Sequence, residues 1–68
     1  MTREQLIEKL TTSDSYDALR EAGYKFKEQH GAFENLEPLP GKRSEGFCTL
    51  PGGKEGYRDV WGGTWEKV

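Results

Sequence analysis

Two residues in this chain carry side chains that ordinarily attack, shuttle protons or bind soft metals. They are His30, the only histidine, and Cys48, the only cysteine. Cysteine–histidine catalysis needs the two brought together, with a third group to orient the base. A structural zinc site takes four nitrogen or sulfur ligands at close spacing. No CxxC pair, HxxxH pair or carboxylate cluster surrounds these two residues. Cys48, between Phe47 and Thr49, reads as a small buried apolar residue. His30, in Glu28-Gln29-His30-Gly31, reads as a polar loop residue. Pro51-Gly52-Gly53-Lys54 and Gly62-Gly63 lack the GxxxxGK[ST] spacing and the strand-to-helix setting of a phosphate loop, so they read as turns. The chain therefore reads as a non-enzyme with no metal and no cofactor. A small nuclease or toxin run by His30 stays as an alternative, because a general base needs only reach and a suitable pKa.

The second kind of chemistry is recognition. Lys42, Arg43, Lys54 and Arg58 lie in the same part of the chain as Tyr57 and Trp61. Basic residues interleaved with aromatics suit single-stranded nucleic acid, where bases stack on rings and phosphates meet cations. Glu45, Glu55 and Asp59 dilute the patch. Tryptophan and arginine are also the residues that dominate protein interfaces. A tryptophan beside two glycines at a hairpin tip is hard to bury, so Trp61 with the flanking Arg58 is a candidate anchor for a protein partner.

Bulk composition bounds both readings. The 68 residues suffice for one small domain, residues 1–68. Apolar residues make up 32 % and charged residues another 32 %, which leaves little for a core. The eight aromatics supply much of what area there is. Net charge is −2, with −3 on residues 1–40 and +1 on residues 41–68. The pI near 5.3 speaks against a dedicated duplex-DNA binder. A lone cysteine allows no internal disulfide, the start MTREQLIEKL has no apolar signal core, and no apolar run could span a bilayer. A cytoplasmic setting is the simple expectation, and a bacterial or phage accessory gene suits a product of this size.

The elements that must position these residues follow from pattern. Thr2 with Gln5 forms a capping box, and Leu6, Ile7 and Leu10 then fall on one helical face. Ser13 or Asp14 is placed to cap a second helix, with Tyr16, Leu19 and Ala22 on its apolar side and Gly23 just beyond its end. Tyr24-Lys25-Phe26-Lys27 alternates as a strand, although a helix through residue 30 also fits the spacing of Leu19, Ala22 and Phe26. Residues 29–44, with Pro38 and Pro40, read as a loop tacked to the core by Phe33, Leu36 and Leu39. Gly46–Leu50 reads as a strand, Leu50-Pro51-Gly52-Gly53 as a type II turn, and Tyr57–Trp61 and Thr64–Val68 as a final hairpin.

Charge selects a register for that hairpin. A two-residue Gly62-Gly63 loop would oppose Arg58 to Lys67 and Asp59 to Glu66, which is unfavourable. A three-residue loop opposes Arg58 to Glu66, Val60 to Thr64 and Tyr57 to Lys67, with Gly63 in the left-handed position. Tyr57 and Trp65 then share the inner face.

The expected fold is α+β: two short N-terminal helices packed on a small, mainly antiparallel sheet of three to four strands. The expected core is Leu6, Ile7, Leu10, Tyr16, Leu19, Phe26, Phe47, Val60 and Trp65. Two helices followed by a hairpin have the outline of a winged helix-turn-helix, but the helix that would enter the groove, residues 14–22, carries a net −2. The leading expectation is a small non-enzymatic protein that binds a protein partner as regulator or inhibitor. Its contact residues are Trp61, Arg58, Tyr57, Lys54, Lys42 and Arg43, and a homodimer is left open. Nucleic-acid binding, winged-helix-like or through the basic-aromatic hairpin, is the alternative.

Overall fold

The computed structural model describes residues 2–12 and 16–68. Two short helices, α1 (Arg3–Thr12) and α2 (Asp17–Glu21), precede five strands. These are β1 (Tyr24–Gln29), β2 (Glu34–Pro38), β3 (Gly46–Leu50), β4 (Lys54–Arg58) and β5 (Gly63–Lys67). All neighbours are antiparallel, in the order β1-β5-β4-β3-β2. The architecture is α+β, with a five-stranded sheet where three to four strands were expected.

The capping box forms as the sequence implies. The Thr2 N–H donates to Gln5 Oε1 at 3.0 Å, and the Gln5 N–H donates to Thr2 Oγ1 at 3.2 Å. Two otherwise orphaned N–H groups are thereby satisfied. The second helix begins one residue after Tyr16 and has no side-chain cap. The expected caps Ser13 and Asp14 lie outside the described residues. Its end does match expectation: Gly23 has φ +92° and donates its N–H to the Arg20 carbonyl. The backbone then leaves directly into β1, which settles residues 24–29 as strand.

One face of the sheet carries the core. Leu6 and Leu10 of α1 and Ala18 and Leu19 of α2 pack against Tyr24, Phe47, Tyr57 and Trp65. Phe47, Tyr57 and Trp65 stand side by side across β3, β4 and β5, because Phe47 pairs with Tyr57 and Tyr57 with Trp65. The Phe47 and Tyr57 rings meet edge to face at 5.2 Å, an arrangement favoured by ring quadrupoles. Ile7, Tyr16 and Ala22 seal the cluster from its rim. Leu39 is fully inside at 3 % exposure, while Phe33 is 36 % exposed and lies outside the main cluster.

The opposite face holds a smaller apolar layer. Leu50 and Cys48 lie there, both buried. Gly56, across from Cys48, makes room for Leu50: a Cβ at position 56 would sit 2.4 Å from Leu50 Cγ. The short connection from β1 to β2 crosses this face. It must join opposite edges of the sheet, a span of four strand spacings, or about 19 Å if flat. Five steps of chain from Gln29 to Glu34 reach at most about 18 Å. The sheet therefore curls towards the connection. Thr64 Oγ1 donates to the Glu28 carbonyl at 3.0 Å, and the Arg58 guanidinium lies 5.1 Å from the Phe33 ring centre.

Three expectations need correction. Residues 34–38 form an edge strand rather than loop, because β2 gains its hydrogen bonds from β3 and buries almost nothing. Phe26 and Val60 are not core, being 47 % and 52 % exposed. Phe26 stands on the sheet edge, beyond the cover of the five-residue α2. Val60 falls in a loop because β4 stops at Arg58. The final hairpin is also paired two residues away from the expected register: Arg58 faces Thr64, Tyr57 faces Trp65 and Gly56 faces Glu66. A slip of two preserves which residues share a face, so Tyr57 and Trp65 still point inward.

Candidate functional site

The hairpin register is set by one side chain. Asp59 is 4 % exposed, and its carboxylate accepts three hydrogen bonds from its own hairpin. Oδ1 accepts the main-chain N–H of Trp61 at 3.0 Å and of Gly63 at 2.7 Å. Oδ2 accepts the indole N–H of Trp65 at 2.9 Å. The Asp59 N–H donates to the Gly63 carbonyl at 2.9 Å and closes the four-residue loop 59–62 onto the first residue of β5. Three bonds to a buried carboxylate outweigh the cross-strand charge pairing that favoured a shorter loop. Gly62, rather than Gly63, takes the left-handed conformation, with φ +86°.

The loop is also fastened from outside. Tyr16 Oη accepts the Val60 N–H at 3.2 Å. Gln29 Nε2 donates to the Trp61 carbonyl, and the His30 N–H donates to the Gly62 carbonyl at 2.9 Å. His30 itself is held at φ +57°, uncommon for a residue with a side chain, and its ring lies against Gly62. The product is a fixed tip from which Val60 and Trp61 project, Trp61 being 64 % exposed. One edge of Trp61 rests on Tyr16, with ring centres 5.4 Å apart.

Beneath the tip is a buried polar cluster. Tyr57, with no exposed surface, donates its hydroxyl to Glu45 Oε2 at 2.7 Å, and Glu45 is 3 % exposed. The Tyr16 hydroxyl is pushed up to about 12, first by burial and then by the nearby Glu45 and Asp59 charges, against the Val60 N–H. Tyr57 is raised further, by burial first and then by its hydrogen bond to Glu45. Both phenols thus hold their protons and serve as fixed hydrogen-bonding groups. Their arrangement is structural: the carboxylates accept from within the fold, and no buried side-chain polar atom among the described residues lacks a partner.

The candidate contact residues are spread over the sheet. Trp61 lies in the tip loop, Arg58 ends β4 just before it, and Lys42 and Arg43 lie in the connection between β2 and β3. Arg58 donates to the Ser44 carbonyl, which brings the 39–45 loop beside the hairpin. Lys54 begins β4, four residues from Arg58 or about 13 Å along the strand, and lies 3.8 Å from Glu66. Tyr57 is in the core and offers no side-chain surface. Among the described residues Lys42, Arg43 and Arg58 make no ion pair. Of the acidic residues that seemed to dilute the patch, Glu45 and Asp59 are buried and Glu55 lies towards the far end of β4.

His30 was not expected at this site; its ring flanks Gly62, and Arg58 Nη2 lies 3.7 Å from where a Cβ of residue 62 would be. Val60 was missed because it was assigned to the core. A local signal existed for the loop itself: aspartate placed before Gly62-Gly63 can bond the backbone two residues on, as Asp59 does. His30 lies just beyond β1 with its ring against Gly62, whereas Cys48 is in β3, separated from β1 by two strands in the sheet order. Burial pushes the Cys48 thiol up. Among the described residues no group of three or more His, Cys, Asp or Glu could hold a metal ion, and no helix is long and apolar enough to cross a membrane. Compared with family models, curated proteins and solved structures, the chain matches none.

Proposed function

We propose that this chain is a small non-enzymatic protein that binds a protein partner through the 59–63 tip, as an accessory factor, regulator or inhibitor. The observation that carries this reading is an exposed tryptophan on an immobilised loop. Trp61 presents most of its ring to solvent while its loop is tied by Asp59, Gln29, His30 and Tyr16. A rigid aromatic anchor loses little conformational entropy on binding, which is how such residues come to dominate interface energies. Val60 beside it adds aliphatic area that a protein surface can cover. Affinity capture with the wild-type chain and with Trp61→Ala tests the reading. Proteins retained by the first and lost by the second, with both chains folded, support it; identical captured sets contradict it.

Single-stranded nucleic acid is the second reading. It is favoured by Arg58 at the foot of the Trp61 loop and by its hydrogen bond to the Ser44 carbonyl, which links it to the loop that carries Lys42 and Arg43. It requires binding that weakens steeply with salt and with loss of Lys42 and Arg43.

A further inference from the structure

The two outer strands of the sheet are not alike. The edge at β2 is guarded. The Leu39 N–H donates to the Glu45 carbonyl, so in an antiparallel ladder the main chain of Pro38 faces outward, where proline has no N–H to give. Asn35, at φ +57°, interrupts the same strand. The edge at β1 is open. The Val68 N–H donates to the Gly23 carbonyl and the His30 N–H to the Gly62 carbonyl. By the alternation of the ladder, Lys25 and Glu28 turn their main-chain groups to β5, while those of Phe26 and Gln29 turn away from the sheet. No strand lies beyond β1, and residues 25–29 are all exposed. Phe26 marks the same gap on the core side: its ring meets Trp65 edge to face at 5.6 Å, yet it is 47 % exposed. Resting on the protein-partner reading above, we infer that the partner contributes an extended segment that pairs with β1 from Phe26 to Gln29 as a sixth strand. It sets an apolar side chain beside Phe26 and runs on to Trp61.

Backbone and position select this occupant, not charge. Outward N–H and carbonyl groups along an edge are matched by another extended backbone. A helix has already used its own backbone groups, and a nucleic-acid strand offers no such row. Lys25, Lys27 and Glu28 put both signs on the edge, so neither an acidic nor a basic segment is preferred. A second copy is disfavoured. Antiparallel pairing about the middle of β1 would set Lys25 against itself, Lys25 against Lys27, or Lys27 against itself. The ladder is short: Tyr24 is only 5 % exposed at one end, and the register shifts between Phe26 and Glu28. The rest of the contact therefore falls to side chains. The Gln29 side chain donates to the Trp61 carbonyl, so this end of β1 adjoins the tip. A segment leaving the edge there meets Trp61 without turning.

The probe is a displayed library of random short peptides, selected on the immobilised full chain. A selected peptide is then titrated into isotope-labelled protein. The expected peptide alternates apolar and polar residues, protects the Phe26 and Gln29 amides from hydrogen exchange and shifts the Trp61 indole. Methylating the peptide's backbone nitrogens at alternate positions keeps its side chains and should weaken binding about tenfold or more. Phe26→Thr, which keeps a strand-forming residue, should weaken it severalfold; the methylated peptide tests the edge without altering the fold. Equal binding of the methylated peptide overturns the sixth strand. So does a selection whose peptides leave the β1 amides unprotected, or one that returns no binder. A dimer in sedimentation equilibrium that Phe26→Thr dissolves would make the occupant a second copy and overturn it as well. Partner capture that depends on Trp61 but not on Phe26 would overturn the edge and leave the tip reading standing.

Discussion

Asp59 Oδ2 accepts the indole N–H of Trp65 at 2.9 Å, a bond that joins the tip loop to the core. Trp65 is 4 % exposed and contacts both Phe26 and Tyr16. The same carboxylate holds the two amides that shape the loop. Stability and the presentation of Trp61 therefore depend on one residue.

Replacing Asp59 by Asn keeps the size of the side chain but turns one acceptor into a donor. Either the Trp65 indole or the loop amides are then left facing an N–H. The expected loss is about 2–4 kcal/mol, measured by urea denaturation, because a buried donor loses its partner. A loss below about 1 kcal/mol would show that the carboxylate is not the organising group.

Trp61→Ala should behave differently. The ring is mostly in solvent and touches the fold through Tyr16. The expected cost is at most about 1.5 kcal/mol, the scale of one aromatic pair. Circular dichroism and thermal melting of the variant should stay close to wild type. A variant that fails to fold would make Trp61 part of the core.

Gly56→Ala should strain the second apolar layer. The new methyl would meet Leu50 Cγ at 2.4 Å and both of its methyl groups at 2.8 Å. Overpacking of this kind costs about 1–3 kcal/mol. Shortening Leu50 in the same chain, as Gly56→Ala with Leu50→Ala, should then cost less than the two single changes added together. Strict additivity in denaturation experiments would refute the contact.

Alkaline pH should unfold the chain. Tyr16 and Tyr24 are each pushed up to about 12, chiefly by burial, and Tyr57 is raised as well. In the unfolded chain these phenols ionise near the ordinary value of about 10. Between these values the folded state holds more protons, so stability is intact below about pH 10 and is lost as pH rises towards 12. Phenolate absorbance and loss of secondary structure should rise together. Tyrosines that titrate near pH 10 with the fold intact would contradict the packing.

Local chemistry was the most legible part of the sequence. The Thr2–Gln5 box, the Gly23 stop and β3 follow from neighbouring residues alone. So does the turn at residues 50–53, where Gly52 has φ +88° and the Gly53 N–H donates to the Leu50 carbonyl. Strand β2 was not legible, since an edge strand with solvent on both faces shows no alternation. The hairpin register failed because opposed surface charges are worth less than hydrogen bonds to a buried carboxylate. At the site, Trp61 and Arg58 could be found from residue type. That Lys54 would lie apart, that Tyr57 would be enclosed and that His30 would join the tip depended on strand order, which the local pattern does not carry.

The central claim is that Trp61 is the preformed contact of a partner. Hydroxyl-radical footprinting read by mass spectrometry, on the free chain and on the chain loaded with its captured partner, tests it most directly. The account predicts that Trp61 is labelled in the free protein and protected in the complex, with Val60 following it and Trp65 unreactive in both. Equal labelling of Trp61 with and without a bound partner would contradict it.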